Sequence, residues 1–338
     1  MIRNLQLICL FAVIGIGLWV PGVFAGETVV VYTSVDQVFS EPVLKAFEAT
    51  TGIHVRALYD VEAAKTVGLV NRLIAEKRRP AADVFWNSEI SRTIMLKQKG
   101  VLASYVSPNR KGLSPAFYDP GGYWTGFAAR ARVILYNTRL VSPDTAPSSI
   151  FELTEPKWRG RVAMANPLFG TASMHMAALW AQLGEKRTKE WLSAMLANKV
   201  AVVNGNSVAR DMVVSGRAAV CITDTDDAAV AIEKKAPVAV IFADQKGIGA
   251  LLIPSSVAMI RRCPHPDAAR RLIDFLLSKR VEEMMARGES AQMPLHKGVL
   301  SPTIFPPMER LRFMRIGFNE IADAITPSAR MCRKALGH

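Results

Sequence analysis

The chain has 338 residues, half of them apolar, enough to bury a substantial core, and its length points to two compact units rather than one. A formal charge of +13 admits nucleic acid, an anionic surface or an anionic ligand as partner, but Arg270, Arg271, Arg280, Arg310, Arg312 and Arg315 are scattered in the manner of a solvated surface. Spacings such as C-x-x-C are absent, which removes support for a zinc or iron–sulfur site.

The chain opens with Arg3, an apolar run over residues 7–20, and Val23-Phe24-Ala25 with small residues at both recognition positions. This is the pattern of an export signal over residues 1–25, cut after Ala25. Pro21-Gly22 ends the run where a spanning helix would continue, and Cys9 lacks the small neighbours of a lipoprotein signal. No later stretch is apolar for long enough to span a bilayer. The mature chain is therefore expected to be soluble, periplasmic and monomeric, with a charge of +12 once Arg3 is lost, and export makes nucleic acid the least fitting partner.

After the cut, residues 28–32 form a β-branched run, followed by a helix whose Val43, Leu44 and Phe47 share a face and which Gly52 closes. Residues 53–59 read as a strand, Val67, Val70 and Leu73 as the apolar face of a helix, and residues 83–86 as a third strand. Such β-α-β-α-β alternation packs as a parallel sheet covered on both faces. Residues 103–125, with Pro108, Gly112, Pro115, Pro120, Gly121 and Gly122, are irregular. Residues 125–137 are the candidate crossing to a second lobe.

In that second lobe, strands are expected at 161–165, 200–203 and 218–222, and helices at 172–183 and 208–214. One amphipathic helix is expected over 267–285, and C-terminal helices beyond Pro306. The division this implies is 26–130 for lobe 1, with 256–300 returning to it, 131–255 for lobe 2, and 301–338 packing across both. Of the cysteines that remain, Cys221 lies in an apolar strand, so Cys263 to Cys332 is the one disulfide open to the chain.

Ligands of parallel α/β sheets bind beyond the carboxyl ends of the strands. The loops there carry Ser34 and Asp36, Ser88 and Glu89, then Gly170-Thr171-Ala172, Asn206-Ser207 and Thr225-Asp226. Each of these polar residues also suits a helix N-cap, worth roughly 1 kcal/mol whatever the protein does, so the case for a site rests on the set. Gly170-Thr171-Ala172 lets a phosphate, phosphonate or carboxylate approach backbone N–H groups at a helix start. Asp224, Asp226 and Asp227 would repel one another without a cation, an amine or arginines nearby, and of the three Asp226 is the one expected to face the cleft. Arg130, Arg132 and Arg210 either pair with them or hold the anionic end of a ligand.

Val30-Val31-Tyr32-Thr33-Ser34, Ala46-Phe47-Glu48, Thr51-Gly52-Ile53, Ala82-Asp83-Val84-Phe85-Trp86, Lys99-Gly100-Val101-Leu102, Arg130-Ala131-Arg132-Val133, Pro156-Lys157-Trp158-Arg159-Gly160 and Met293-Pro294-Leu295 stand in an order and spacing that resembles the periplasmic ferric-ion-binding proteins and their relatives among the family 1 extracellular solute-binding proteins. The resemblance covers nearly the whole mature chain. It implies a type II periplasmic-binding-protein fold, with two Rossmann-like lobes, a hinge and a central ligand cleft, and delivery of the ligand to the permease of an ABC importer. No enzymatic activity and no cofactor are implied.

Metal-binding members of that family use a His after the first strand, a Glu after the third and two adjacent tyrosines in the second lobe. Here Asp36, Ser88 or Glu89, and Thr225-Asp226 stand at those places. Gly170-Thr171-Ala172 and Asn206-Ser207 match the positions that hold an anion. An organic phosphate or phosphonate is therefore ranked ahead of ferric iron with a synergistic anion, which would rely on Asp36, Glu89 and Asp226. Asp224-Thr225-Asp226 also has the form of a phosphatase D-x-D, with Asp224 as nucleophile and Asp226 as its partner beside magnesium. His54, His265 and His296 read as structural or solvated.

Overall fold

The computed structural model describes residues 27–60 and 66–337; the expected export signal lies outside them. In the first lobe β1 (Thr28–Thr33) runs parallel between β2 (His54–Tyr59) and β3 (Val84–Asn87). The alternation of a strand sends Val29 and Val31 to one face, where they share a core with Val43, Leu44 and Phe47 of α1 (Gln37–Thr51). Gly52 ends α1 with φ 72° and returns its N–H to Glu48 O, a left-handed cap that a side chain would strain. The helices α2 (Val67–Ala75) and α3 (Ser91–Gln98) follow β2 and β3, and the short β4 (Leu102–Ala103) joins the edge of this lobe.

The strand β5 (Thr125–Asn137) is buried along its whole length and belongs to both halves of the sheet. Its second half pairs with lobe 2, where β6 (Val162–Ala165) lies parallel between β7 (Ala201–Val203) and β8 (Val220–Asp224), with β9 (Val238–Ile241) also on β5. The helices here are α4 (Gly170–Ala197), broken at Gly184, α5 (Asn206–Val214) and α6 (Thr225–Glu233). The chain then returns along β10 (Leu252–Ile260), antiparallel to the first half of β5 and to β3. Two antiparallel strands thus join two α/β lobes.

Three expectations about the last third need correcting. The helix foreseen over 267–285 is two, α7 (Pro266–Leu276) and α8 (Lys279–Arg287), because Ser278 leaves the helix and its hydroxyl accepts from Val281 N at 3.4 Å. Serine as an N-cap competes with helix continuation, and an unbroken apolar stripe hides the switch. Beyond Pro306 there is one α-helix, α9 (Phe318–Leu336), packed along α4 and against α3. Cys221, Cys263 and Cys332 are all free, so the bridge from Cys263 to Cys332 does not form: Cys332 is buried on α9, whereas Cys263 is half-buried after β10. No described helix is long and apolar enough to cross a membrane.

The hinge strand has a bulge at Ala128, which takes φ 43° where the β5–β10 register slips between Pro254 and Ser255. The buried Glu282 of α8 holds this point, accepting at 2.9 Å from the N–H groups of Ala128, Leu295 and His296 and from His296 Nδ1. His296 Nε2 lies 2.8 Å from Asn109 O. Both ring nitrogens face acceptors, so both must donate and the ring is an imidazolium. Burial works against that charge, but Glu282 and the Asn109 carbonyl outweigh it and raise the His296 pKa.

A group whose pKa rises on folding stabilises fully below its unfolded value and loses that contribution as pH climbs through the folded one. The melting temperature is therefore expected to fall as pH rises above about 6.5, more steeply than in His296→Gln, as scanning calorimetry across that range will show. Parallel curves for the two proteins would refute the assignment.

Candidate functional site

The carboxyl ends of the strands from both lobes open on one cleft. From lobe 1 come Asp36 and Ser88, and from lobe 2 Gly170, Thr171, Ala172, Asn206, Ser207 and Asp226. Asn166, Phe169 and Asp227 line it as well, together with Arg130 from the crossing strand. The strand-end rule leads to Asn166, which follows β6 directly, and to Phe169, the N-cap of α4 at the end of the same loop, but neither had the composition of an anion loop to single it out. The space enclosed is about 30 Å³, room for about two water molecules.

Three of the residues expected in the cleft do not line it. Ser34 is buried behind Ser88, donating to Asn87 Oδ1 at 2.7 Å and accepting from Ser88 N at 2.9 Å. Glu89 is buried against the start of α3, where Ser91 N donates to it at 2.6 Å and Arg92 N at 3.2 Å. Thr225 turns its hydroxyl to Ala131 N on the hinge strand, at 3.2 Å. The ferric set of Asp36, Glu89 and Asp226 is thereby broken, since Glu89 is occupied in capping a helix.

Capping does not explain the others. The N-cap residues of α1, α4, α5 and α6 are Asp36, Phe169, Gly205 and Asp224, and none makes a side-chain cap hydrogen bond. The first turns of α4 and α5 therefore bring backbone N–H groups to the cleft without a side chain closing them, and the helix dipoles add positive potential there.

The arginines come from the pleat of β5, which puts Arg130 and Arg132 on one face with Arg132 directly opposite Asp224 of β8. Asp224 is fully buried and accepts four donors: Thr171 Oγ1 at 2.6 Å, Arg132 Nη1 at 2.8 Å, Asn206 Nδ2 at 3.0 Å and Arg130 Nη1 at 3.3 Å. Burial alone would raise its pKa, but Arg132 and Arg130 bring it below the usual carboxylate range. With its oxygens occupied and no exposed surface, Asp224 cannot attack phosphorus, and the phosphatase alternative built on Asp224 and Asp226 is withdrawn. The three aspartate carboxylates do lie within 4.8 Å of one another, yet Asp224 has its charge matched by two guanidinium groups already.

Asp226 accepts from Arg130 Nη1 at 3.0 Å while lining the cleft. Asp227 takes bonds from Thr223 Oγ1 at 3.1 Å and Arg210 Nη1 at 3.4 Å. Burial, then the neighbouring Asp226 and Asp224, push its pKa well above the ordinary range. For Arg130 burial is outweighed by Asp226, Asp224 and Asp36, which raise its pKa. Its Nε–H is buried and has no hydrogen-bond partner. The arginines thus do pair with the carboxylates, and Arg130 alone among the three also faces the cleft.

A family model described as bacterial extracellular solute-binding protein matches residues 80–323. "Iron uptake protein A1" of Synechocystis is 29% identical over 270 residues, 75% of this chain and 74% of that protein. A "putative 2-aminoethylphosphonate-binding periplasmic protein" of Salmonella typhi is 25% identical over 287 residues, 83% of this chain and 81% of that protein. In structure, iron-bound HitA from Pseudomonas aeruginosa superposes with a TM-score of 0.84 at 23% identity, over 91% of this chain and 99% of its own.

Proposed function

Because this chain belongs to the bacterial extracellular solute-binding proteins and has the type II fold of two lobes about a cleft, we propose that it captures a small organic phosphate or phosphonate, preferably a zwitterion with an amine, and delivers it to the permease of an ABC importer. On this reading the protein is exported, loses residues 1–25 and works as a periplasmic monomer. Lobe 1 comprises 26–130 and 256–300, lobe 2 comprises 131–255, and residues 301–338 pack across both.

One observation carries the choice of ligand. The first turns of α4 and α5, with no side chain capping them, line the same cleft as Arg130 and the carboxylates of Asp36 and Asp226. A dianionic head suits the N–H groups and Arg130, while an amine or hydroxyls suit the carboxylates. Relatives named for iron argue for the second reading, ferric iron with an anion. Against it, none of the six tyrosines lines the cleft, so phenolate, the hard donor implied for iron-binding members, is missing from the lining.

The test is thermal shift of the purified mature chain with 2-aminoethylphosphonate, inorganic phosphate and ferric citrate. A ligand present at a hundred times its Kd stabilises by about 2.7 kcal/mol, and the phosphonate is expected to do so. Stabilisation by ferric citrate alone, with a visible charge-transfer band, would replace the phosphonate by iron.

A further inference from the structure

Arg92 belongs to α3 in lobe 1, but its guanidinium reaches lobe 2. Nη2 donates to Ser173 Oγ at 2.9 Å and to Leu168 O at 3.4 Å, which flank the first residues of α4. Nη1 stays 3.5 Å from Glu89 Oε1. Glu89 is fixed in turn by Ser91 N, Ser91 Oγ and Arg92 N. The Arg92 side chain is 5% exposed and that of Glu89 is 0% exposed.

A charge so far from water is tolerated only with its partners in place. Those partners sit on both lobes, so Nη2 keeps its two acceptors only when the lobes are closed, while Nη1 has the ion pair with Glu89 and no hydrogen bond. Parting the lobes would leave Glu89 with Arg92 and take Ser173 and Leu168 away.

We infer that Arg92, oriented by Glu89, is a positioning residue that latches the closed cleft and steadies the N-terminal turn of α4 against the ligand. Glu89, which with Ser88 stands where the family resemblance implies a metal ligand, here serves closure. The guanidinium also brings positive charge to the first turn of α4 through Ser173 and Leu168, so closure would strengthen the anion site as the ligand is enclosed. This last point rests on the ligand reading above; the latch itself does not depend on which solute is bound.

The test measures lobe separation directly. Nitroxide labels at Val38→Cys and Val208→Cys, on exposed positions of α1 and α5, report the distance across the lobes by pulsed electron resonance, in a Cys263→Ser background because Cys221 and Cys332 are buried. The full mature chain is compared with Arg92→Lys, whose single ammonium cannot hold Glu89, Ser173 and Leu168 together, and with Ser173→Ala, which removes one methyl-sized hydroxyl and tests the latch even if the arginine variant folds poorly.

A short-distance population in the parent, reduced in both variants, with 2-aminoethylphosphonate dissociating about tenfold faster from them, is the expected result. Unchanged distance distributions in Ser173→Ala and Arg92→Lys would overturn the latch, whatever the phosphonate does. If the variants open while the phosphonate fails to bind even the parent, the latch stands and the ligand reading falls.

Discussion

Asp224→Ala is expected to lower the free energy of unfolding by roughly 3–5 kcal/mol, the range for breaking a buried ion pair by removing one partner. The deletion leaves Arg130 and Arg132 buried without the carboxylate they share, and strips an acceptor from Thr171 and Asn206. Asp224→Asn should recover little, because the amide nitrogen would present its own N–H groups where donors already point. Urea denaturation followed by far-ultraviolet dichroism measures this as a drop in midpoint at constant slope. A midpoint like that of the parent would mean the guanidinium groups reach water, contrary to their burial of 5% and 4% exposure.

Asp226→Ala should act on binding. Its carboxylate lines the cleft, and a hydrogen bond to a charged group contributes about 1.5–3 kcal/mol, so the Kd for 2-aminoethylphosphonate is expected to rise by roughly 10- to 150-fold. Ethylphosphonate, which has the head without the amine, should bind the variant no worse than the parent, since Arg130 loses a competing carboxylate. Titration calorimetry with both ligands separates the cases. Equal losses for the two would show that Asp226 supports the architecture of the site rather than the amine.

These two neighbours in sequence differ because of where β8 ends. Asp224 is the last residue of the strand and Asp226 lies in the first turn of α6, so one side chain faces the sheet interior and the other the opening. Alternation and loop position led to the cleft itself, and the span of β5 coincides with the crossing segment expected over 125–137. The partners of Arg130 and Arg132 were not legible, because they depend on the register between β5 and β8, segments some ninety residues apart.

Glu89 was misjudged for a related reason. A carboxylate after a strand and before a helix satisfies both a ligand site and a helix start, and only its contacts with Ser91 and Arg92 decide between them. The break at Ser278 shows the same limit: a serine on the polar face of an amphipathic pattern is neutral in one-dimensional terms, yet its backbone turns the chain.

The bulge at Ala128 lies two residues from Arg130 on one continuous strand. That guanidinium is hydrogen-bonded to Asp224 and Asp226 of lobe 2 and to the Ser88 carbonyl of lobe 1, so a change in the separation of the lobes would disturb its contacts, and the posture of the protein and the readiness of its site would change together. A permease that senses only the separation of the two rims would thereby learn whether cargo is aboard, without touching the cargo at all.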